Sequence, residues 1–283
     1  MGKIESVAIV GAGFMGSGIA ESVAVAGVGV VLRDAYEAGI DLARERLDRS
    51  LSRAVSRGKL SEENAAATKE RINLTTELHQ IAAADLVVEA VPEQEPLKLE
   101  VLRAVSDVVS EDAIIASNTS SIPITQLAQA VKRPERMLGM HFFSPVPVMA
   151  LVELVVALDT TPETVAQARE FIERIGKTPI ETKDRGGFVV NFLLVPYLNA
   201  AIRMLEEGFA SREDIDTGMK LGCGYPMGPL TLSDFIGLDV HLAVCDSMYD
   251  EFKRSDYEAP PLLKRMVAAG RLGRKSGRGF YEY

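Results

Sequence analysis

Residues 7–26 read VAIVGAGFMGSGIAESVAVA, and the fold follows from how this stretch is punctuated. Val7 to Val10 is a short, β-branched run; Gly11-Ala12-Gly13-Phe14-Met15-Gly16 interrupts it, and helix-compatible residues follow. A strand, a GxGxxG loop and a helix in that order predict a phosphate-binding turn. Gly11 permits the tight turn and Gly13 lets a pyrophosphate approach the backbone. Gly16 lets helix and strand pack closely while the helix N-terminus faces the phosphates. Phe14 and Met15 complete the loop and count with its glycines as cofactor-contacting positions. Asp34 ends the next predicted strand, 18 residues beyond Gly16, where a carboxylate accepts hydrogen bonds from an adenosine ribose. The pattern therefore predicts a dinucleotide, NAD before NADP, because Asp34 would repel a 2′-phosphate. Arg33 beside it leaves NADP open.

Outward from that loop, β-rich runs alternate with longer helical patterns, the signature of a parallel sheet covered by helices. Predicted strands are 7–10, 28–33, 86–90, 114–117, 137–141 and 151–156. Between the second and third lies a helical stretch, 37–70, interrupted near Gly58, which reads as an inserted helical hairpin. After Lys183-Asp184-Arg185-Gly186-Gly187 the β signals stop, and FVVNFLLVPYLNAAIRMLEEG reads as helix with Pro196 kinking it. The ending GRLGRKSGRGFYEY reads as an ordered or semi-ordered tail. The expected class is α/β: a Rossmann-like doubly wound sheet over 1–184 with a second, all-helical C-terminal domain over 185–283.

The bulk properties of the 283 residues agree with two soluble domains: 47% are hydrophobic and 25% charged. The net charge of −9 argues against a nucleic-acid binder. No apolar run is long enough for a membrane span, and the start enters a strand rather than a secretory leader. Cys223 and Cys245 form no CxxC pair and three scattered histidines complete no zinc site, so no metal is expected and a reducing cytoplasm is the predicted location.

Chemistry concentrates at predicted strand ends, the rim where an open α/β sheet binds its ligands. His141 closes one strand and opens HFFSPVP; Glu153 lies twelve residues on, in a segment able to return beside it. Together they would make an oriented imidazole whose charged form is stabilised by its neighbour, although such pairs also serve structure alone. His79 and His241 read as structural or surface residues. Ser117-Asn118-Thr119-Ser120-Ser121 reads as a turn and helix cap, or as part of the ligand rim. Asn191, the polar residue in FVVNFLLV, suits either a buried network or a substrate contact. Arg46, Arg49, Arg53 and Arg57 form one stripe along a helix, with Ser50 close by, and suit either a solvated face or an anionic ligand.

GAGFMGSGIA, ASNTSSIPIT, HFFSPVPVMALVEL, GFVVNFLLVPYLNAAIRM, YPMGPLTLSDFIGLD and LGRKSGRGFYEY together carry a resemblance that runs end to end. The chain resembles bacterial 3-hydroxyacyl-CoA dehydrogenases of the short, single-function type, near to the 3-hydroxybutyryl-CoA dehydrogenases. The resemblance implies catalysis by His141 with Glu153, assisted by Ser120 and Asn191. It assigns Glu93, Lys98, Ser120 and Lys275, with Asp34, to NAD, and Ser50, Arg53, Arg57 and Ser120 to an acyl-CoA. It also implies a homodimer formed through the C-terminal domain. Arg57 stands where some relatives carry lysine; Ser144 replaces a usual asparagine, and Ala150 a common lysine. These departures motivate a rival handle, an acyl carrier protein in secondary metabolism; a non-catalytic dinucleotide-binding protein is a more distant alternative.

Overall fold

The computed structural model describes residues 3–283, which divide into two compact units meeting in sequence at Arg185 and Gly186. The first unit is a sheet of eight strands: β1 (Ser6–Val10), β2 (Gly29–Arg33), β3 (Ile72–Thr75), β4 (Leu86–Glu89), β5 (Ile114–Ser117), β6 (Met137–Phe142), β7 (Leu151–Val156) and β8 (Thr178–Lys183). Their spatial order is β3-β2-β1-β4-β5-β6-β7-β8. All neighbours pair in parallel except β6 and β7, so β7 and β8 run against the other six. The order reverses between β1 and β4, and in such sheets ligands lie in the crevice at that switch point.

The central strands are apolar because both faces are covered. Val7, Ile9, Leu86, Val88, Ile114 and Ala116 join one core with Ile19, Ala20 and Val23 of helix α1 (Phe14–Val25). Two strands escape the sequence reading. β3 is a short outer strand with alternating burial, and β8 (TPIETK) is a half-polar edge containing Pro179. Edge strands have little apolar periodicity to betray them, and proline is tolerated there. The helical stretch after β2 is α2 (Glu37–Ser56) and α3 (Glu62–Glu70), broken where Gly58 takes φ +65°. The remaining helices of this unit are α4 (Glu95–Val108), α5 (Ile124–Ala128) and α6 (Pro162–Arg174). Asp184, just past β8, accepts from the N–H groups of Ile124 and Thr125 at 2.9 and 2.7 Å, a long-range cap for α5.

The second unit is helical: α7 (Val190–Glu206), α8 (Arg212–Cys223), α9 (Pro229–Ile236), α10 (Leu238–Phe252) and α11 (Pro261–Ala268). α7 continues across Pro196. The glycine-rich ending is ordered by two buried carboxylates. Asp234 accepts from the N–H groups of Phe280 and Tyr281 and from the Tyr283 hydroxyl, while Asp216 accepts from the Tyr281 hydroxyl and caps α9.

His241, on α10, is buried with neither ring nitrogen hydrogen-bonded, and burial pushes its pKa down to about 4. In the unfolded chain the group titrates near 6.5, so below that pH the unfolded state binds the extra proton. Its contribution to stability is complete above pH 6.5 and is lost as pH falls towards 4, by about 3 kcal/mol. Urea titrations should therefore show wild type losing about 3 kcal/mol relative to His241→Leu between pH 7 and pH 4, whichever is the more stable at neutral pH; a difference independent of pH between 7 and 4.5 would remove His241 as a cause.

Candidate active site

At the switch point the backbone decides the geometry. Gly11 follows β1 with φ +106°, and a Cβ there would lie 2.6 Å from the Ala90 carbonyl oxygen at the end of β4. At Gly16 a Cβ would meet the Gly11 carbonyl oxygen at 1.8 Å, so helix α1 starts this close to the loop only because no side chain intervenes. Gly13 is exposed and a Cβ on it would touch nothing within 4 Å. Packing does not demand that glycine, which leaves the backbone bare to a phosphate at the α1 N-terminus. Phe14 is exposed and Met15 half-buried in the same turn.

Asp34 directly follows β2 and faces this loop. One carboxylate oxygen accepts from the Ala12 N–H at 2.9 Å and the other from the Tyr36 N–H at 3.2 Å. Gly39 abuts the same carboxylate, where a Cβ would come within 2.5 Å; sequence reasoning overlooked this glycine because nothing local demands it. Arg33 turns away, donating to the Thr76 carbonyl at 3.2 Å. The loop, the helix terminus and the carboxylate fit a dinucleotide: donors for pyrophosphate and acceptors for ribose hydroxyls.

Two strands over, a buried polar cluster joins the ends of β4 and β5. Lys98 of α4 is only 1% exposed; its ammonium donates to Glu89 at 2.8 Å and to the Val91 carbonyl at 3.2 Å, and pairs with Glu93 at 3.3 Å. Ser117 donates to the other Glu89 oxygen at 2.6 Å. Glu93 accepts from the Thr119 hydroxyl at 2.5 Å and from the Ser120 N–H at 3.0 Å, with the half-buried Ser120 hydroxyl at 3.4 Å. Burial works to raise the Glu93 pKa, but Lys98 and these donors outweigh it and hold the group below the ordinary range, so Glu93 is ionised at neutral pH. Its charge stands at the rim; that of Lys98 is consumed inside the fold. Glu89, the buried centre of this cluster, left no mark in the sequence beyond a carboxylate inside an apolar strand.

His141 is the penultimate residue of β6, and β7 returns antiparallel, pairing His141 with Glu153 in register. The imidazole Nδ1 lies 2.7 Å from Glu153 Oε2, with both residues buried and Phe143 tilted against the ring at 4.6 Å. Because a carboxylate accepts, Nδ1 carries the proton in the neutral ring, and Nε2 carries the lone pair. Asn118 links this hairpin to the previous strands, accepting from the Phe142 N–H at 2.9 Å and donating its own N–H to the Glu89 carbonyl at 2.8 Å.

The other expected residues fall in two groups. On α2, Arg46 donates to the Ala12 carbonyl at 3.2 Å, whereas Arg49, Arg53 and Arg57 are exposed. Ser50 donates at 2.9 Å to Glu21, a carboxyl whose pKa is raised by burial. Asn191 and Lys275 belong to the second unit: Asn191 opens α7, and the Lys275 ammonium pairs with Asp239 at 2.5 Å.

A sheet with this strand order, a glycine loop at its switch point and a buried histidine–carboxylate pair at the same rim has known counterparts. Residues 6–185 match the profile "3-hydroxyacyl-CoA dehydrogenase, NAD binding domain", and residues 187–283 match "3-hydroxyacyl-CoA dehydrogenase, C-terminal domain". The chain belongs to the 3-hydroxyacyl-CoA dehydrogenase family. It is 51% identical over 282 residues to a 3-hydroxybutyryl-CoA dehydrogenase of Mycobacterium tuberculosis, covering 99% of both chains. Against the hydroxyacyl-coenzyme A dehydrogenase of human mitochondria the identity is 41%, covering 99% of this chain and 91% of that one. The crystal structure of (S)-3-hydroxybutyryl-CoA dehydrogenase from Ralstonia eutropha superposes with a TM-score of 0.94 at 48% identity, each chain covered to 99%. As a 3-hydroxyacyl-CoA dehydrogenase, this chain is an NAD-dependent oxidoreductase with a Rossmann-like first unit and a helical second one. No helix among its described residues is long and apolar enough to cross a membrane.

Proposed function

We propose that the protein interconverts short-chain (S)-3-hydroxyacyl-CoA and 3-oxoacyl-CoA, 3-hydroxybutyryl-CoA and acetoacetyl-CoA foremost, with His141 as acid–base. The in-register, buried His141–Glu153 pair carries this reading. When bound, NAD supplies the hydride acceptor at the nicotinamide ring. His141 Nε2 takes the 3-hydroxyl proton in oxidation and returns it in reduction. Glu153 keeps the proton on Nδ1 and offsets the imidazolium charge that forms in oxidation. Ser120 and Asn191 orient the substrate oxygen and thioester; Asp34, Glu93 and the Gly11–Gly16 loop hold the dinucleotide, joined by Lys275. Lys98 serves NAD indirectly, by holding Glu93.

The direct test is NADH and NADPH oxidation with acetoacetyl-CoA and longer 3-oxoacyl-CoAs. NADH should be preferred, and Asp34→Asn should narrow the preference by removing the charge that repels a 2′-phosphate. Equal wild-type turnover with NADPH would overturn the cofactor assignment.

Ser50, Arg53 and Arg57 are assigned to the CoA moiety, the two exposed guanidinium groups to its phosphates. Arg57→Ala should raise the KM for acyl-CoA several-fold with little change in kcat or in the KM for NADH, because phosphates far from C3 bind alike in ground and transition states. Salt should raise the wild-type KM more than the variant's. An unchanged KM would return Arg57 to the solvated face, and a large preference for carrier-bound over CoA-bound substrate would favour the acyl-carrier handle.

We assign the protein to the cytoplasm, in keeping with its two unbonded cysteines, and expect a homodimer through the second unit. Leu193, Phe209 and Leu221 are each more than 60% exposed there, apolar surface that a partner copy would cover. Sedimentation at micromolar concentration tests the dimer; a monomer would reject it.

A further inference from the structure

Lys177 precedes β8 and is 9% exposed. Its ammonium donates to two backbone carbonyls, of Val146 at 2.7 Å and Met149 at 2.8 Å. Burying a lysine is costly unless its protons are taken up, and here the acceptors belong to one short loop. That loop joins His141's strand to Glu153's strand. Within it the Val148 and Met149 N–H groups both donate to the Pro145 carbonyl, and Thr178 donates to the Ala150 carbonyl at 2.7 Å. On its other side Gly18 of α1 packs against Val146 and Pro147, where a Cβ would come within 3.1 Å.

Topology explains why a residue at the start of β8 reaches this place. Because β7 reverses and β8 runs with β7, the amino end of β8 lies on the rim formed by the carboxyl ends of the six parallel strands. With its carbonyls turned inward to the ammonium, the loop leaves Val148 66% and Met149 38% exposed, two apolar side chains in the loop that leaves His141's strand at this rim.

We propose that Lys177 is a positioning residue for the reaction: its ammonium clamps the 145–149 loop and so holds Val148 and Met149 as the apolar surface along which the acyl chain lies. The proposal rests on the functional reading above. The clamp binds no substrate itself; it removes freedom from a loop that would otherwise have to be ordered by the substrate, a cost that would appear in KM.

Lys177→Met keeps the aliphatic stem and removes the donors. Steady-state rates with acetoacetyl-CoA and 3-oxohexanoyl-CoA should show an acyl-CoA KM raised about tenfold or more, with the KM for NADH and the stoichiometry of NADH binding nearly unchanged. A merely structural role would lower activity in proportion to the NADH-binding fraction and leave the acyl-CoA KM alone; that result overturns the proposal. Val148→Ser with Met149→Ser, at exposed positions, covers the case in which Lys177→Met does not fold. It should raise the KM for the six-carbon substrate more than for the four-carbon one, and equal or absent effects overturn the acyl surface. Wild type is measured in parallel: no turnover of either substrate would defeat the functional reading, whereas an active wild type with unaffected variants would defeat this inference alone.

Discussion

Replacing His141 by alanine should lower kcat by about 10² to 10⁴-fold, the usual worth of a positioned acid or base. NADH affinity should hardly move, because the glycine loop and Asp34 lie on β1 and β2, whereas His141 lies on β6. The partner residue refines the test. Glu153→Gln retains a hydrogen-bonding side chain opposite Nδ1 but loses the charge that offsets an imidazolium, so it should also lower kcat, by less than His141→Ala. Pre-steady-state reduction of acetoacetyl-CoA separates chemistry from product release. A folded His141→Ala enzyme with near-normal kcat would take the histidine out of the mechanism.

Lys98→Met is expected to cost about 3–5 kcal/mol of stability, the typical result of stripping one partner from a buried pair. Glu89, with no exposed surface, would keep its Ser117 and Val91 donors but lose the ammonium that donates to its Oε1 atom. Glu93 would lose the Coulombic support that keeps it ionised, so a weaker grip on NADH should accompany the stability loss. Adding Glu89→Gln should restore much of the stability, since the uncompensated charge is then gone, while leaving the NADH effect of the missing Lys98–Glu93 pair. Urea unfolding and NADH titration of both variants decide the matter. If Lys98→Met keeps its stability to within about 1 kcal/mol and loses only NADH affinity, the lysine is a direct cofactor ligand, as the family resemblance alone implies.

Much of the molecule was legible in the chain. GAGFMG after a β-branched run, with Asp34 at the next strand end, specified a local device whose parts are close in sequence, and local geometry suffices for it. The apolar strands covered on both faces announced themselves in the same way, as did the break at Gly58 and the change to helix after Gly187. Long-range pairing was not legible. β3 and β8 are edges with mixed polarity, so neither burial nor periodicity marked them. That His141 and Glu153 could meet was a matter of spacing; that they do meet depends on the antiparallel register of β6 and β7. Nothing in the sequence marked Lys98 or Lys177 as buried, because burial of a charge is decided by carboxylates and carbonyls brought from elsewhere in the chain. Most local elements, and the dinucleotide they suit, are written in the order of residues along the chain. Where the charges go is settled by the three-dimensional fold, since a charge is stable inside it only where distant segments converge to neutralise it.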